Sequence, residues 1–206
     1  MANTLEELLA GIKSCRVCVE QPAGKALPHE PRPVLLASAT ARIAICGQAP
    51  GTRVHASGVP FTDPSGDRLR DWLGISPEVF YDTSRIAIVP MGFCFPGLDD
   101  KGGDRPPRRE CARAWRRDLF LHLKAVELIL PVGLYAQRWH LGDRCRASLT
   151  ETVRDWRTYF ETGERPIHLP LPHPSWRNNA WIRKHPWFEG EVLPILRRTV
   201  GELLAR

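Results

Sequence analysis

Apolar residues gather in four short unbroken runs: RIAIC (42–46), RIAIVPM (85–91), VELILPVG (126–133) and PIHLPLP (166–172). Runs this short, closed off by Gly, Pro and charged residues, predict strands buried on both faces. Between and after them the apolar positions recur every three or four residues instead, in GDRLRDWLGI (66–75), RRECARAWRRDLFLHLKAV (108–126), SLTETVRDWRTYF (148–160) and a final stretch over about 187–205. That period is helical. Strand and helix in alternation predict an α/β fold, a three-layer sandwich whose central, mainly parallel four-stranded sheet is flanked by helices. At 206 residues the chain is read as one domain, 1–206. A further helix is expected at the start, where Leu5, Leu8, Leu9 and Ile12 share a face behind Asn3 or Thr4 as cap. Residues 20–41, rich in proline and without period, read as a long surface connection within the domain.

In a parallel sheet ligands bind beyond the carboxyl ends of the strands. Three of the four runs lead into unusual loops there, GQAPG (47–51), GFCFPG (92–97) and HPSWRNN (173–179). Gly47 and Gly51 allow close backbone approach and Pro50 stiffens the turn between them. Three such loops converging would build one site.

Charge narrows the ligand. Lys and Arg outnumber Asp and Glu by 29 to 23, for a formal net charge of +6, and the excess is mostly arginine, whose planar fork suits phosphate. The run RPPRRECARAWRR holds Arg105, Arg108, Arg109, Arg113, Arg116 and Arg117, and HPSWRNNAWIRKHPW mixes Arg177, Arg183 and Lys184 with tryptophans. Cations beside aromatics suit phosphates and unstacked bases. No apolar run approaches membrane-spanning length and the first residues are acidic where a secretory leader is basic, so a cytoplasmic protein with no membrane partner is expected. Six cysteines in such a compartment read as thiols or metal ligands rather than disulfides.

GQAPG, then SGVPF ending at Phe61, then DPSG and the helix DRLRDWL, with HPS at 173–175, together resemble the uracil-DNA glycosylase superfamily, and most of all its iron–sulfur branch, often called family 4. The likeness runs from Cys15 to about Asn179. It implies a monofunctional DNA repair enzyme that flips uracil or a related deaminated base out of DNA and hydrolyses its N-glycosidic bond, leaving an abasic site. By the same resemblance His173 donates to the base oxygen as the anion forms, and Phe61 stacks on the base beside Gly47 and Ala49. Gln48 and the backbone around Ala49 position water, and Ser175, Trp176 and Arg177 hold the DNA. A monomer is expected.

Two departures bear on chemistry. The family 4 motif commonly has Glu at the position of Gln48 and better-known relatives have Asp at the position of Ala49, so neither motif carboxylate is present. His55, Asp63 and Asp67 are the nearest candidates for a base. Where family 4 usually reads the base edge with Asn, this chain has Pro90, which has no donor, so recognition falls to backbone near Met91 and Gly92 or to Asn178 or Asn179.

Cys15 and Cys18 form a C-x-x-C, and Cys94 and Cys111 enclose sixteen residues. Four thiolates suit zinc or an iron–sulfur cluster. The resemblance implies a [4Fe–4S] cluster, with zinc as the alternative. Cys46 and Cys145 read as packing residues or free thiols. Two rivals to the enzyme follow from the same features: a DNA-binding module of glycosylase fold with little catalytic activity, and a zinc-stabilised nucleic-acid-binding protein.

Overall fold

The computed structural model describes residues 4–206. Four strands, β1 (Ile43–Cys46), β2 (Ile86–Ile88), β3 (Leu128–Pro131) and β4 (Ile167–His168), pair in the order β2-β1-β3-β4, all parallel. Alternation along β1 sorts the two faces by size. Ile43 and Ile45 join Ile86, Ile88, Leu128 and Leu130 on one face, under the helices Pro64–Leu73 and Leu193–Leu204 and the rings of Trp156 and Phe188. Ala44 and Cys46 join Ala87 and Val89 on the other, where small side chains let the helix Leu5–Lys13 and the helical segment 109–122 lie close. The result is the expected three-layer sandwich.

The first helix is capped by Thr4, whose hydroxyl accepts from the Glu7 amide while Glu7 reaches back to the Thr4 amide. Asn3 lies outside the described residues. The fourth apolar run is a strand over only two residues plus a bridge from Leu171 to Val132, because Pro170 and Pro172 have no N–H for the ladder. Residues 20–41 are more than a surface connection. Leu36 exchanges both backbone hydrogen bonds with Ile88 and the Val34 amide donates to the Phe93 carbonyl, so the segment covers the outer edge of β2 with Leu27 and Val34 buried. Five helices lacked a legible period: Thr52–Ser57, Leu134–Leu141, Asn179–Lys184 and the single turns Val17–Glu20 and Pro77–Phe80. Trp181 and Trp187 pack against the core near Phe188.

Arg116 departs from the expectation of a basic surface. It is wholly buried, with no carboxylate beside it. It sits in a π-helical turn (Ala112–Arg116), and its guanidinium donates to the carbonyls of Val89 (3.1 Å) and Pro90 (2.7 Å) and lies 2.7 Å from His140 Nε2. Arginine only donates, so Nε2 accepts and His140 is a neutral ring protonated at Nδ1. Burial, reinforced by the Arg116 charge, holds the His140 pKa well below 6.5, and burial brings neighbouring His168 to about 4.

The unfolded chain therefore takes up protons below pH 6.5 that the folded chain refuses. Stability is fully present above that value and falls on acidification through about 4, by up to about 1.4 kcal/mol per pH unit for each histidine that remains neutral. Urea unfolding at a series of pH values reads this directly. His140→Gln is expected to flatten the slope between pH 6.5 and 5, and an unaltered slope would exclude His140 as a source.

Candidate active site

The loop after β1 and the loop after β4 face each other across a cleft of about 550 Å³, lined by Gln48, Ala49, Arg53, Asp63, Pro64, Ser65, Asp104, His173, Ser175, Trp176 and Arg177. From its floor a smaller cavity of about 70 Å³ runs inward between Gly47, Pro50, Val54, Phe61, Ile88 and Pro90. Gln48, Ala49, Asp63, Ser65, Asp104 and His173 border both. An apolar recess with polar groups at its mouth can hold a flat heterocycle and act on the atom left at the entrance.

His173 is held from both sides. Before it, the Leu171 carbonyl accepts from the Gly133 amide (2.9 Å) and the buried Gln137 amide nitrogen (3.0 Å); after it, Asn178 Nδ2 donates to the His173 carbonyl at 2.6 Å. Gly133 has φ +81°, and a side chain there would point at the His173 Cβ, 4.0 Å away. Asn178 is thus a positioning residue and does not line the cleft. Burial lowers the His173 pKa from 6.5, partly opposed by the Asp63 charge. The ring is neutral at pH 7 and carries one N–H to donate.

Asp63 is committed first to the helix Pro64–Leu73. Its Oδ1 accepts from the amides of Ser65 (3.1 Å) and Gly66 (3.2 Å) and from the Ser65 hydroxyl. The residue two before it, Phe61, adopts φ 55°, a left-handed conformation rare for an aromatic residue. Its carbonyl accepts from Tyr81 Oη (3.2 Å) and Arg70 Nη1 (3.3 Å), and its ring meets Phe80 edge-on. Gly66 makes this possible: a Cβ there would fall 1.8 Å from the Phe61 carbonyl oxygen.

Other expected residues lie elsewhere. His55 faces away from the cleft, its ring centroid 4.3 Å from that of His29 and 5.7 Å from that of Phe95. Asp67 pairs with Arg70 on the exposed side of its helix. The Met91 and Gly92 amides donate to the carbonyls of Gly47 (2.8 Å) and Gln48 (3.0 Å), so those donors are spent on fixing the loop rather than free to read a base. Gln48 donates to the Arg105 carbonyl at 3.1 Å, leaving its own oxygen uncommitted. Asn179 is exposed and lines neither cavity.

A carboxylate that motif reading did not single out stands at the mouth. Asp104 closes a turn in which Asp99 Oδ1 accepts from the amides of Lys101 and Gly103. Its Oδ2 comes within 3.4 Å of where a side chain on Gly51 would begin. Burial raises its pKa above the usual 3.8, with Arg177 opposing and Asp63 and Asp99 adding. The only sequence signal was an acid in a Gly-rich turn beyond the end of β2.

Residues 35–197 match the family model described as the uracil DNA glycosylase superfamily. The chain belongs to that superfamily. Members of that superfamily are DNA glycosylases. Exposed Trp176 stands at the rim with Arg177 against its ring (5.4 Å to the centroid), and the Ser175 carbonyl is held by Arg68 at 3.1 Å.

Cys15, Cys18, Cys94 and Cys111 border one cavity with Pro33, Phe93 and Trp115. N–H groups meet two of the sulfurs, the Trp115 indole on Cys15 (3.2 Å) and the Phe93 amide on Cys111 (3.3 Å), and the Arg32 amide and Arg108 side chain partly oppose the rise in the Cys94 and Cys18 pKa values that burial causes. Burial pushes the Cys94 and Cys111 thiols up to about 12. Among the described residues no group of three or more His, Cys, Asp or Glu side chains is arranged to hold a single metal ion. Cys46 is buried in β1 and Cys145 lies 3.6 Å from the Thr152 hydroxyl, as packing residues do. Among the described residues no helix is long and apolar enough to cross a membrane.

Gly66→Ala tests the fit around Phe61. In an unconstrained helix the exchange stabilises by about 1 kcal/mol; here it is expected to destabilise by about 1–3 kcal/mol in urea unfolding, because the Phe61 carbonyl must move. A stabilised variant would show that the Phe61 backbone is not fixed by this contact.

Proposed function

We propose that this protein is a monofunctional DNA glycosylase that hydrolyses the N-glycosidic bond of uracil, or of a related deaminated base, and leaves an abasic site. The observation that carries the reading is the shared mouth of cleft and cavity, where a neutral His173 and the carboxylates of Asp63 and Asp104 surround an apolar recess walled by Phe61. Bond cleavage puts negative charge on the base and positive charge on the sugar. A neutral imidazole N–H donates to the base oxygen as that charge grows, without first holding a full charge of its own. On the sugar side, Asp104 offsets the developing cation and orients water, the task that neither Gln48 nor Ala49 can perform as an acid. Asp63 serves the helix cap and adds its field at His173. Specificity falls to the uncommitted Gln48 oxygen and the shape of the recess, since Pro90 offers no donor.

Base release from oligonucleotides carrying uracil, hypoxanthine, xanthine or hydroxymethyluracil tests this. His173→Ala and Asp104→Asn are each expected to lower the single-turnover rate by roughly 10²–10⁴-fold while DNA binding persists. No release from any substrate by folded, DNA-binding wild type would favour the binding-module reading, to which the missing motif carboxylates point.

The four-cysteine cavity supports a [4Fe–4S] cluster held by Cys15, Cys18, Cys94 and Cys111. The soft donors suit it, and the N–H donors on Cys15 and Cys111 would stabilise those thiolates. Its part would be structural, tying the first helix and the 109–122 segment to the sheet; no step of the chemistry passes through it. A brown preparation with iron and sulfide in equal amounts is expected, with Cys111→Ala losing both and unfolding at lower urea. A colourless protein with one zinc would overturn the assignment. In this reading the protein acts as a monomer.

A further inference from the structure

On the flank between cleft and cysteine cavity, a groove of about 500 Å³ runs between the helical segment 109–122 and the helix Leu134–Leu141. Arg109 and Arg113 project from the first, and Tyr135, Arg138 and Trp139 from the second. No acidic residue lines it. Among the described residues the side chains of Arg109, Arg113 and Arg138 make no ion pair or hydrogen bond, whereas Arg108 beside them is engaged by Glu110 (2.5 Å) and the Lys25 carbonyl (2.7 Å). Tyr135 is 41% and Trp139 47% exposed, large apolar surfaces left open on a helix whose remaining contacts are buried. Trp139 is nonetheless braced from within, with the Arg116 guanidinium 5.8 Å from its ring centroid.

We propose that this groove binds a single-stranded segment of the DNA whose damaged nucleotide occupies the cleft. Unpaired cations call for phosphates, and open aromatic rings call for bases whose faces are not already stacked in a duplex. The groove adjoins the cleft along the chain. Asp104 stands in the cleft and Pro106 and Pro107 in the groove wall, while Gln48 holds the Arg105 carbonyl between them. Met91, which also lines the groove, is tied by its amide to Gly47. A strand leaving the cleft along this wall reaches arginines and rings in turn. The inference rests on the glycosylase reading of the cleft and names a strand preference for it.

The test is equilibrium binding, by fluorescence anisotropy, of oligonucleotides with a cleavage-resistant 2′-fluoro deoxyuridine. One is only long enough to fill the cleft. Others extend it by about eight nucleotides, a span within the reach of one such groove, left unpaired or annealed to a complement. Extension by unpaired nucleotides is expected to tighten binding roughly tenfold or more in the wild type, with Trp139→Ala abolishing most of that gain and Tyr135→Ala part of it. Arg113→Gln with Arg138→Gln is expected to lower the salt slope on the extended strand by about 1.4. A gain that survives Trp139→Ala, a gain as large for the annealed flank, or no gain in the wild type would each overturn the proposal. Base release from the shortest sequence remade with ordinary deoxyuridine tests the cleft separately, so failure of the groove and failure of the glycosylase reading cannot be confused.

Discussion

A guanidinium taken wholly out of water without a carboxylate is costly, and Arg116 is in that position at the end of β2. Its partners are two main-chain carbonyls, a neutral imidazole and the buried Cys46 thiol, so its charge is spread over dipoles rather than cancelled. The two carbonyls belong to Val89 and Pro90, the two residues that follow β2, and Pro90 lines the inner cavity. Arg116 itself lies one helical turn beyond Cys111. One side chain therefore joins the floor of the recess to the segment that carries a cysteine of the second site. The same group sits under Trp139. Recess, cysteine cavity and flanking groove all meet the protein interior at this point.

The cleft divides its labour by what each loop can hold rigidly. The β4 loop supplies His173 because Gly133, Gln137 and Asn178 fix the main chain on both sides of it. The β1 loop supplies shape, its carbonyls taken by the Met91 and Gly92 amides. Phe61 enters in a left-handed conformation that only the absence of a side chain at Gly66 allows, a local strain of about 1–3 kcal/mol held by Tyr81 and Arg70. Strain maintained by surrounding hydrogen bonds gives a ring little freedom to turn, which suits a surface on which a base must lie flat.

Much of the fold was legible because the runs at 42–46, 85–91 and 126–133 are buried on both faces and admit no other period. β4 was overread because apolar content does not register the missing N–H of Pro170 and Pro172. The helix Leu134–Leu141 was missed because its exposed side carries Tyr135 and Trp139, which blur the polar face that a period needs. In the site, His173, Phe61, Gln48, Ser175, Trp176 and Arg177 came together as motif order implied. His55 did not, since the short helix Thr52–Ser57 turns its ring toward His29 and Phe95, and no pattern in sequence reports the direction of a single turn of helix. The expectation for Arg116 failed for a related reason: it shares a run with five other arginines, and only packing separates the buried one from the solvated ones.

The missing acids at Gln48 and Ala49 and the unforeseen acid at Asp104 belong to one argument. Beyond the carboxyl edge of a parallel sheet the loops after successive strands open onto the same space, so a charge can reach the same point from different places in the chain. Motifs locate chemistry by chain position, whereas the reaction depends only on where the atoms stand. Gly51 leaves room for an approaching carboxylate, and the turn at 99–104, pinned by Asp99, delivers one from the loop after β2. Burial and the neighbouring acids lift its pKa, while Arg177 restrains the lift. A carboxylate so placed is a stronger base than one in water, and the cation that tempers it comes from the loop that carries His173. Loss of acidity in the β1 motif is thus compatible with an acid in the cleft, and the electrostatic balance of the site is set between the β2 and β4 loops instead.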